Sequence, residues 1–244
     1  MKKNKVAFIS GGTKGIGLSI VKRLLKKNCV VYTTYLQDDQ NKENVISSFS
    51  KEYLKRLHIK KIDMSNMDEV KEYIFDISKE VGGGFDYLIF NAGGTLKKPF
   101  GEIEYNEWQK CFDTNLNVPF FITQWLKDKI NKNGRIIFIS SVMSIYNHSS
   151  SIAYGVSKAS INSLTKYLVK YFCDKNITVN AVITGFTKTS MIKRNKEHEQ
   201  RIIDKIALKR FAKPNEISKL VMDIINDGYI NGSLIEIDGG YCYK

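Results

Sequence analysis

Short runs of β-branched and aromatic residues alternate along this chain with longer stretches whose apolar positions recur at helical spacing. "KVAFIS" is followed by "IGLSIVKRLLKK", then by "CVVYTTY" and a polar segment from Asp39 to Leu54. Runs of the first kind have the length and composition of buried strands, and the second kind carries the apolar stripe of an amphipathic helix. The rhythm continues with "RLHIKKID", a helix from about Met67 to Val81, "FDYLIF", a long helical region near Tyr105 to Asn131, and "GRIIFIS". It closes with a helix from about Ile152 to Lys175, then "ITVNAVI" and "SLIEID". Strands joined by segments of crossover length pair in parallel, and a parallel sheet is covered on both faces. The pattern predicts a single α/β domain over residues 1–244, a doubly wound, seven-stranded parallel sheet with helices on both faces.

One long stretch stands outside the rhythm. Residues 187–213, "TKTSMIKRNKEHEQRIIDKIALKRFAK", are charged and partly helical in pattern, and they fall between the sixth and last strands. A segment that begins where a strand should end is expected to be a mobile lid over a site at the strand termini. The 244 residues, 43% hydrophobic with three prolines, suffice for one core and offer no linker or repeat at which to divide it. No run approaches the roughly 20 apolar residues of a membrane span. The start, "MKKNKVAFIS", passes from charge straight into a strand without the apolar region of a signal peptide. Cys29, Cys111, Cys173 and Cys242 are scattered, without the spacing of a disulfide framework or a zinc site. These features point to the cytoplasm, with neither membrane nor metal. The formal charge of +13 would suit a polyanion, but the lysines are dispersed and no nucleic-acid motif is present. It reads as a solvated surface that can also draw in anionic cofactors and substrates.

Chemistry concentrates first in "FISGGTKGIGLSIV", where Gly11, Gly12, Gly15 and Gly17 separate the first strand from its helix, with Thr13, Lys14 and Ile16 among them. Glycines let the chain turn tightly and bring backbone N–H groups and a helix N-terminus up to a pyrophosphate. The spacing is G-x-x-x-G-x-G, which is neither the G-x-G-x-x-G fingerprint nor a phosphate loop ending in Gly-Lys-Ser/Thr. An acid at the end of the second strand would bind a ribose 2′-OH and repel a 2′-phosphate. Here that turn holds Tyr35 and Leu36, and Lys14 in the glycine turn offers a cation. The reading favours NADPH over NADH.

Tyr154 and Lys158 lie four residues apart in "SIAYGVSKASI" and share one face of a helix. A free tyrosine has a pKa of about 10, and a nearby ammonium favours the phenolate; a shift of about three units requires roughly 4 kcal/mol of differential stabilisation. Taken alone, Y-x-x-x-K is common on helical surfaces. Upstream, "GRIIFISSVMS" ends its strand in Ser140 and Ser141, at the edge where parallel sheets meet ligands. Either hydroxyl could bond a carbonyl oxygen while Tyr154 protonates it, and a strand-end serine that only satisfies backbone groups is the alternative.

The combined pattern resembles the short-chain dehydrogenase/reductase family in its compact form, over essentially the whole chain. The resemblance implies that Ser141, thirteen places before Tyr154, polarises a substrate carbonyl. It makes Tyr154 the general acid/base, Lys158 its partner and a holder of the nicotinamide ribose, and Asn115 of "DTNL" the support of a proton-relay water. It assigns Gly11, Thr13, Gly15, Ile16 and Gly17 to the cofactor turn, Asp63 and Met64 to the adenine, and Asn91, Ala92 and Gly93 of "FNAG" to the length of the cofactor. Gly185, Thr187 and Thr189 match positions near the carboxamide. The chain departs from the family pattern at Phe90, Thr184 and Ala212, which replace a usual Asn, Pro and Gly; loss of the proline would loosen the entry to the lid.

The overall look is nearest to 3-oxoacyl-acyl-carrier-protein reductases, through "GRII", "NITVNAV" and "IDGGY". Those enzymes dock an acidic carrier protein through basic residues, and the matching positions are Lys132 and Lys175. The resemblance also implies a homotetramer. The loop between Ser141 and Tyr154 brings Tyr146, His148 and serines to the substrate wall, which would equally suit a sugar, steroid or other hydroxylated ketone. A non-catalytic cofactor sensor or scaffold is the contrasting reading, and the intact reacting side chains argue against it.

Overall fold

The computed structural model describes residues 4–37, 39–189 and 195–241, and its strands form one seven-stranded parallel sheet. They are β1 (Val6–Ser10), β2 (Val30–Tyr35), β3 (Leu57–Lys61), β4 (Phe85–Phe90), β5 (Ile130–Ser141), β6 (Thr178–Thr184) and β7 (Leu234–Ile237). The spatial order is β3-β2-β1-β4-β5-β6-β7. Chain order therefore reverses between β1 and β4, and a doubly wound sheet opens a crevice at that switch point.

Strand residues alternate between two cores because successive side chains leave a pleated strand on opposite faces. Phe8 joins Ile74, Ile122 and Ile161 on one face, whereas Ala7 and Ile9 join Ile20, Leu24, Val221 and Ile224 on the other. The first face is covered by α4 (Met67–Val81), α6 (Val118–Trp125) and α7 (Ile152–Phe172), the second by α1 (Gly15–Lys26) and α9 (Pro214–Asn226). The remaining helices are α2 (Asp39–Ser47), α3 (Lys51–Leu54), α5 (Tyr105–Phe112) and α8 (Lys196–Asp204).

Two segments differ from the sequence reading. The region expected to be helical to Asn131 stops at Trp125, is interrupted by a π-turn at Asp113–Asn117, and β5 already begins at Ile130. Pro119, which lacks the backbone N–H a continuous ladder would use, stands in the first turn of α6, one residue after the interruption. The helix α9 was not anticipated, although its start is legible: Pro214 occupies the first turn and the Glu216 carboxylate accepts from the Lys213 N–H at 2.8 Å. It is fixed to α1 by Arg23, whose Nε donates to Ser218 Oγ at 2.8 Å.

Of the expected lid, residues 190–194 lie outside the described residues. The flanking parts are docked: Thr187 pairs with Ala212 as a parallel bridge, and Ile206 pairs with Tyr241. Ile202 and Ile206 bury themselves with Val142, Ile183 and Tyr241 in a third apolar cluster. Thr184 does not loosen this region, because it stays in the β6 ladder opposite Ser141 and its hydroxyl donates to the Ser140 carbonyl at 3.0 Å.

Asn180, fully buried in β6, ties the edge of the sheet to the chain that leads into β7. Its Nδ2 donates to the Ile230 carbonyl at 2.8 Å and its Oδ1 accepts from the Ser233 N–H at 3.0 Å. Asn180→Ala should strand both backbone groups and cost about 2–3 kcal/mol of stability, read as a fall in the urea midpoint at unchanged m-value.

Candidate active site

A cleft of about 1570 Å³ runs along the carboxyl ends of the central strands. It exceeds the roughly 300–1,000 Å³ of a drug-sized site, leaving room for a cofactor and a substrate together. Gly11, Thr13, Lys14, Gly15 and Ile16 line it where β1 turns into α1. Gly11 and Gly15 have φ of +72° and +55°, a conformation that side chains disfavour. Gly17 does not line the cleft as expected. It serves the turn from behind: a Cβ there would lie 2.1 Å from the Gly11 carbonyl and 2.6 Å from Asn91 Nδ2.

Asn91 lines the cleft with Ala92 and Gly93, but its amide is spent on the turn, donating to the carbonyls of Ser10 and Gly11 at 3.1 and 2.9 Å. Asp63 and Met64 line the wall beyond β3. Burial opposes ionisation of Asp63, but Ser65, through its hydroxyl and N–H, and the Lys110 ammonium outweigh it and hold the carboxyl below its usual range. Tyr35 also lines the cleft, and its hydroxyl donates to Asp39 Oδ1 at 2.7 Å. Lys61 takes the other oxygen of Asp39 at 2.8 Å, so this acid is already paired.

At the other end, Ser141, Tyr154 and Lys158 open into the same cleft. The two serines separate by role. Ser140 Oγ donates to the Lys158 carbonyl at 3.3 Å and braces α7, whereas Ser141 Oγ accepts from the Met143 N–H at 3.2 Å and faces Tyr154. Lys158 is 4% exposed, its Nζ donates to the Ile139 carbonyl at 2.8 Å, and burial pushes its pKa down to about 8. Burial pushes the Tyr154 phenol up, and the Ser141 hydrogen bond offsets only part of that. Lys158 Nζ sits 5.9 Å from the Tyr154 ring centroid and is bound to backbone.

Asn115 lies in the π-turn, 1% exposed, behind the cleft wall. Its amide donates to the Gly94 carbonyl at 2.9 Å and to Ser157 Oγ at 3.0 Å, and its Oδ1 accepts from the Gly94 N–H at 3.0 Å. It therefore clamps the strand-end loop that faces Lys158. Cys111, which the sequence reading passed over, lines the cleft here and lies 3.3 Å from the Asn115 amide. A helical offset of four from Asn115 is the signal that could have found it.

On the substrate side, His148 lines the cleft as expected, as do Gly185, Thr187 and Thr189. Tyr146 does not, because its ring packs edge-on against Tyr241 at 5.6 Å in the third apolar cluster. Phe186, Tyr241, Arg201 and Lys205 were not foreseen and do line it; they come from segments without a motif. Lys132 and Lys175 sit at the opposite end of the sheet, at the start of β5 and just before β6. Lys175 is also paired with Asp128 at 2.9 Å.

A family model described as enoyl-(acyl carrier protein) reductase matches residues 11–242. An acetoacetyl-CoA reductase of Acinetobacter sp. is 32% identical, the match covering 98% of each chain. A 3-oxoacyl-acyl-carrier-protein reductase of Aquifex aeolicus is 30% identical (98% of this chain, 97% of the relative), as is a tropinone reductase homolog of Arabidopsis thaliana (97% and 92%). Among solved structures, a short-chain dehydrogenase/reductase of Serratia marcescens superposes with a TM-score of 0.90 at 28% identity over 98% of both chains. A short chain dehydrogenase of Burkholderia cenocepacia in complex with NADP gives 0.89 at 25% over 97% of both. The chain belongs to the short-chain dehydrogenase/reductase family and is an oxidoreductase. The spread of these relatives corrects the lean toward 3-oxoacyl-acyl-carrier-protein reductases, since others match equally well.

The depressed pKa of Lys158 has a measurable consequence for stability. Between about pH 8 and its ordinary value of 10.5 the unfolded chain holds this proton and the folded chain does not, so folding becomes more favourable as pH rises through that window. Below it, the buried charge costs stability. Lys158→Met should therefore raise the unfolding free energy at pH 7 by about 1–2 kcal/mol, read as a higher urea midpoint at unchanged m-value, with the gain shrinking toward pH 10.

Proposed function

We propose that this protein is an NADPH-dependent carbonyl reductase, converting a ketone to a secondary alcohol or catalysing the reverse. The observation that carries the reading is the convergence of Ser141, Tyr154 and Lys158 on one cleft with the glycine turn. The residues fit a dinucleotide: Gly11 and Gly15 line the cleft with φ of +72° and +55°, leaving backbone with no side chain at its wall, and α1 presents its N-terminus with no side-chain cap. The complex of the Burkholderia relative with NADP supports the same cofactor, and the pairing of Asp39 with Lys61 leaves Lys14 as the charge facing a 2′-phosphate.

With NADPH bound along the glycine turn, the cofactor would furnish the hydride for the carbonyl carbon. Ser141 orients the carbonyl oxygen, and Tyr154 gives its proton to that oxygen as negative charge develops there. A phenol held in its acid form by burial is suited to this direction. Lys158 holds the ribose and, with the loop that Asn115 clamps, returns a proton to Tyr154. The segment flanking Thr187 acts as the lid.

The substrate reading favours a small polar ketone over a carrier-bound acyl group. The serines and His148 before α7 make a polar wall, and Lys132 and Lys175 lie away from the cleft. A 3-oxoacyl thioester remains the second reading, supported by the acetoacetyl-CoA and 3-oxoacyl relatives. A homotetramer is expected from the family resemblance.

The test is NADPH oxidation followed by absorbance with acetoacetyl thioesters, sugars, steroids and small ketones. Tyr154→Phe should lower kcat by at least about a thousandfold with little change in NADPH affinity; near-normal turnover would overturn the assignment. Lys14→Ala should raise KM for NADPH about tenfold and leave that for NADH nearly unchanged, as expected for one lost charge-assisted contact.

A further inference from the structure

We propose that the substrate of this reductase carries an anionic group, a carboxylate or a phosphate, held by Arg201 of α8 and Lys205, the residue that caps it, together with His148. The inference rests on the reductase reading and specifies its substrate class. The helix α8 is seated firmly beside the reacting residues, because Ile202 and Ile206 are buried in one cluster with Val142, the neighbour of Ser141. Arg201 and Lys205 flank this anchor four residues apart, on one face of the helix, and both line the cleft.

The charges lining the cleft do not cancel. Its acids are Asp63, Glu107 and Asp204, against six lysines and arginines. Each acid already has a donor: Ser65 for Asp63, Lys98 for Glu107 at 2.8 Å, and Gln200 for Asp204 at 2.9 Å. Arg201 pairs with Glu197, an exposed i,i+4 contact of the kind that is weak in water, and a guanidinium carries five donors. Lys205 forms no ion pair among the described residues.

His148 supplies a directional donor. The Ser150 N–H and hydroxyl both meet its Nδ1, at 3.4 and 3.0 Å. A backbone N–H can only donate, so Nδ1 accepts and the ring proton resides on Nε2. A neutral ketone has no use for two cations and a fixed N–H donor, whereas an oxo acid or a phosphorylated ketone pairs with all of them.

The experiment measures calorimetric Kd values of the NADP+-loaded protein for two matched pairs: 4-oxopentanoate with its methyl ester, and dihydroxyacetone phosphate with dihydroxyacetone. The charged member of at least one pair should bind about tenfold more tightly, and the pair that responds identifies carboxylate or phosphate. The ratio should fall toward one in Lys205→Gln/Arg201→Gln, invert in Lys205→Glu/Arg201→Glu, and shrink as salt is raised. Equal affinities within both pairs, or a preference that survives the double substitutions, would overturn the proposal. The reductase reading is judged separately, by NADPH oxidation with the ketone panel.

Discussion

The hydrogen bonds between Asn91 and the end of β1 hold the molecule's working half together. One amide group binds the carbonyls of Ser10 and Gly11, and the Ser10 hydroxyl in return accepts the N–H groups of Asn91 and Ala92. These contacts join β1 to β4 where strand order reverses, so the crevice opens at a seam that is itself cross-braced. They fix the Gly11 carbonyl, against which the close approach of Gly17 is set. A turn made of glycines would otherwise have much conformational freedom to lose. Neighbouring side chains absorb that requirement, and the glycines are left to supply backbone N–H groups.

A comparable division of labour runs through the reacting end. Asn115 and Ser140 hold backbone, Asn115 by gripping Gly94 and Ser140 by gripping the carbonyl of Lys158. Ser141, Tyr154 and Lys158 face outward into the cleft. Lys158 is the costly member, a buried ammonium satisfied by one backbone carbonyl and destabilised by desolvation. Such a group raises the energy of the folded state while leaving a cation available near a phenol.

Much of the fold was legible because its central strands are buried on both faces and read as apolar runs, while the edge strands β3 and β7, only partly buried, are marked by β-branched residues. Those runs, from "KVAFIS" to "SLIEID", all became strands of the sheet. The π-turn at Asp113–Asn117 was not legible, since the apolar spacing on either side of it continues as though unbroken. The motif residues were legible because glycine conformation and helical spacing are local. Whether Tyr146, Gly17 and Asn115 line the wall or support it was not legible, because that depends on packing from distant segments, as Tyr241 does for Tyr146. The cations of α8 carry no motif, and only the burial of Ile202 and Ile206 reveals which way their helix faces.

The cleft is assembled from three separate lengths of chain. Residues 11–114 build the glycine turn and its neighbours, residues 139–158 bring the reacting side chains, and residues 185–189 and 195–205 build the outer wall with Phe186 and α8. Drift in the later segment can thus remodel what is accepted without disturbing the turn or its braces. Within one architecture, new specificities become reachable through changes confined to a stretch that touches the sheet mainly through a small apolar cluster.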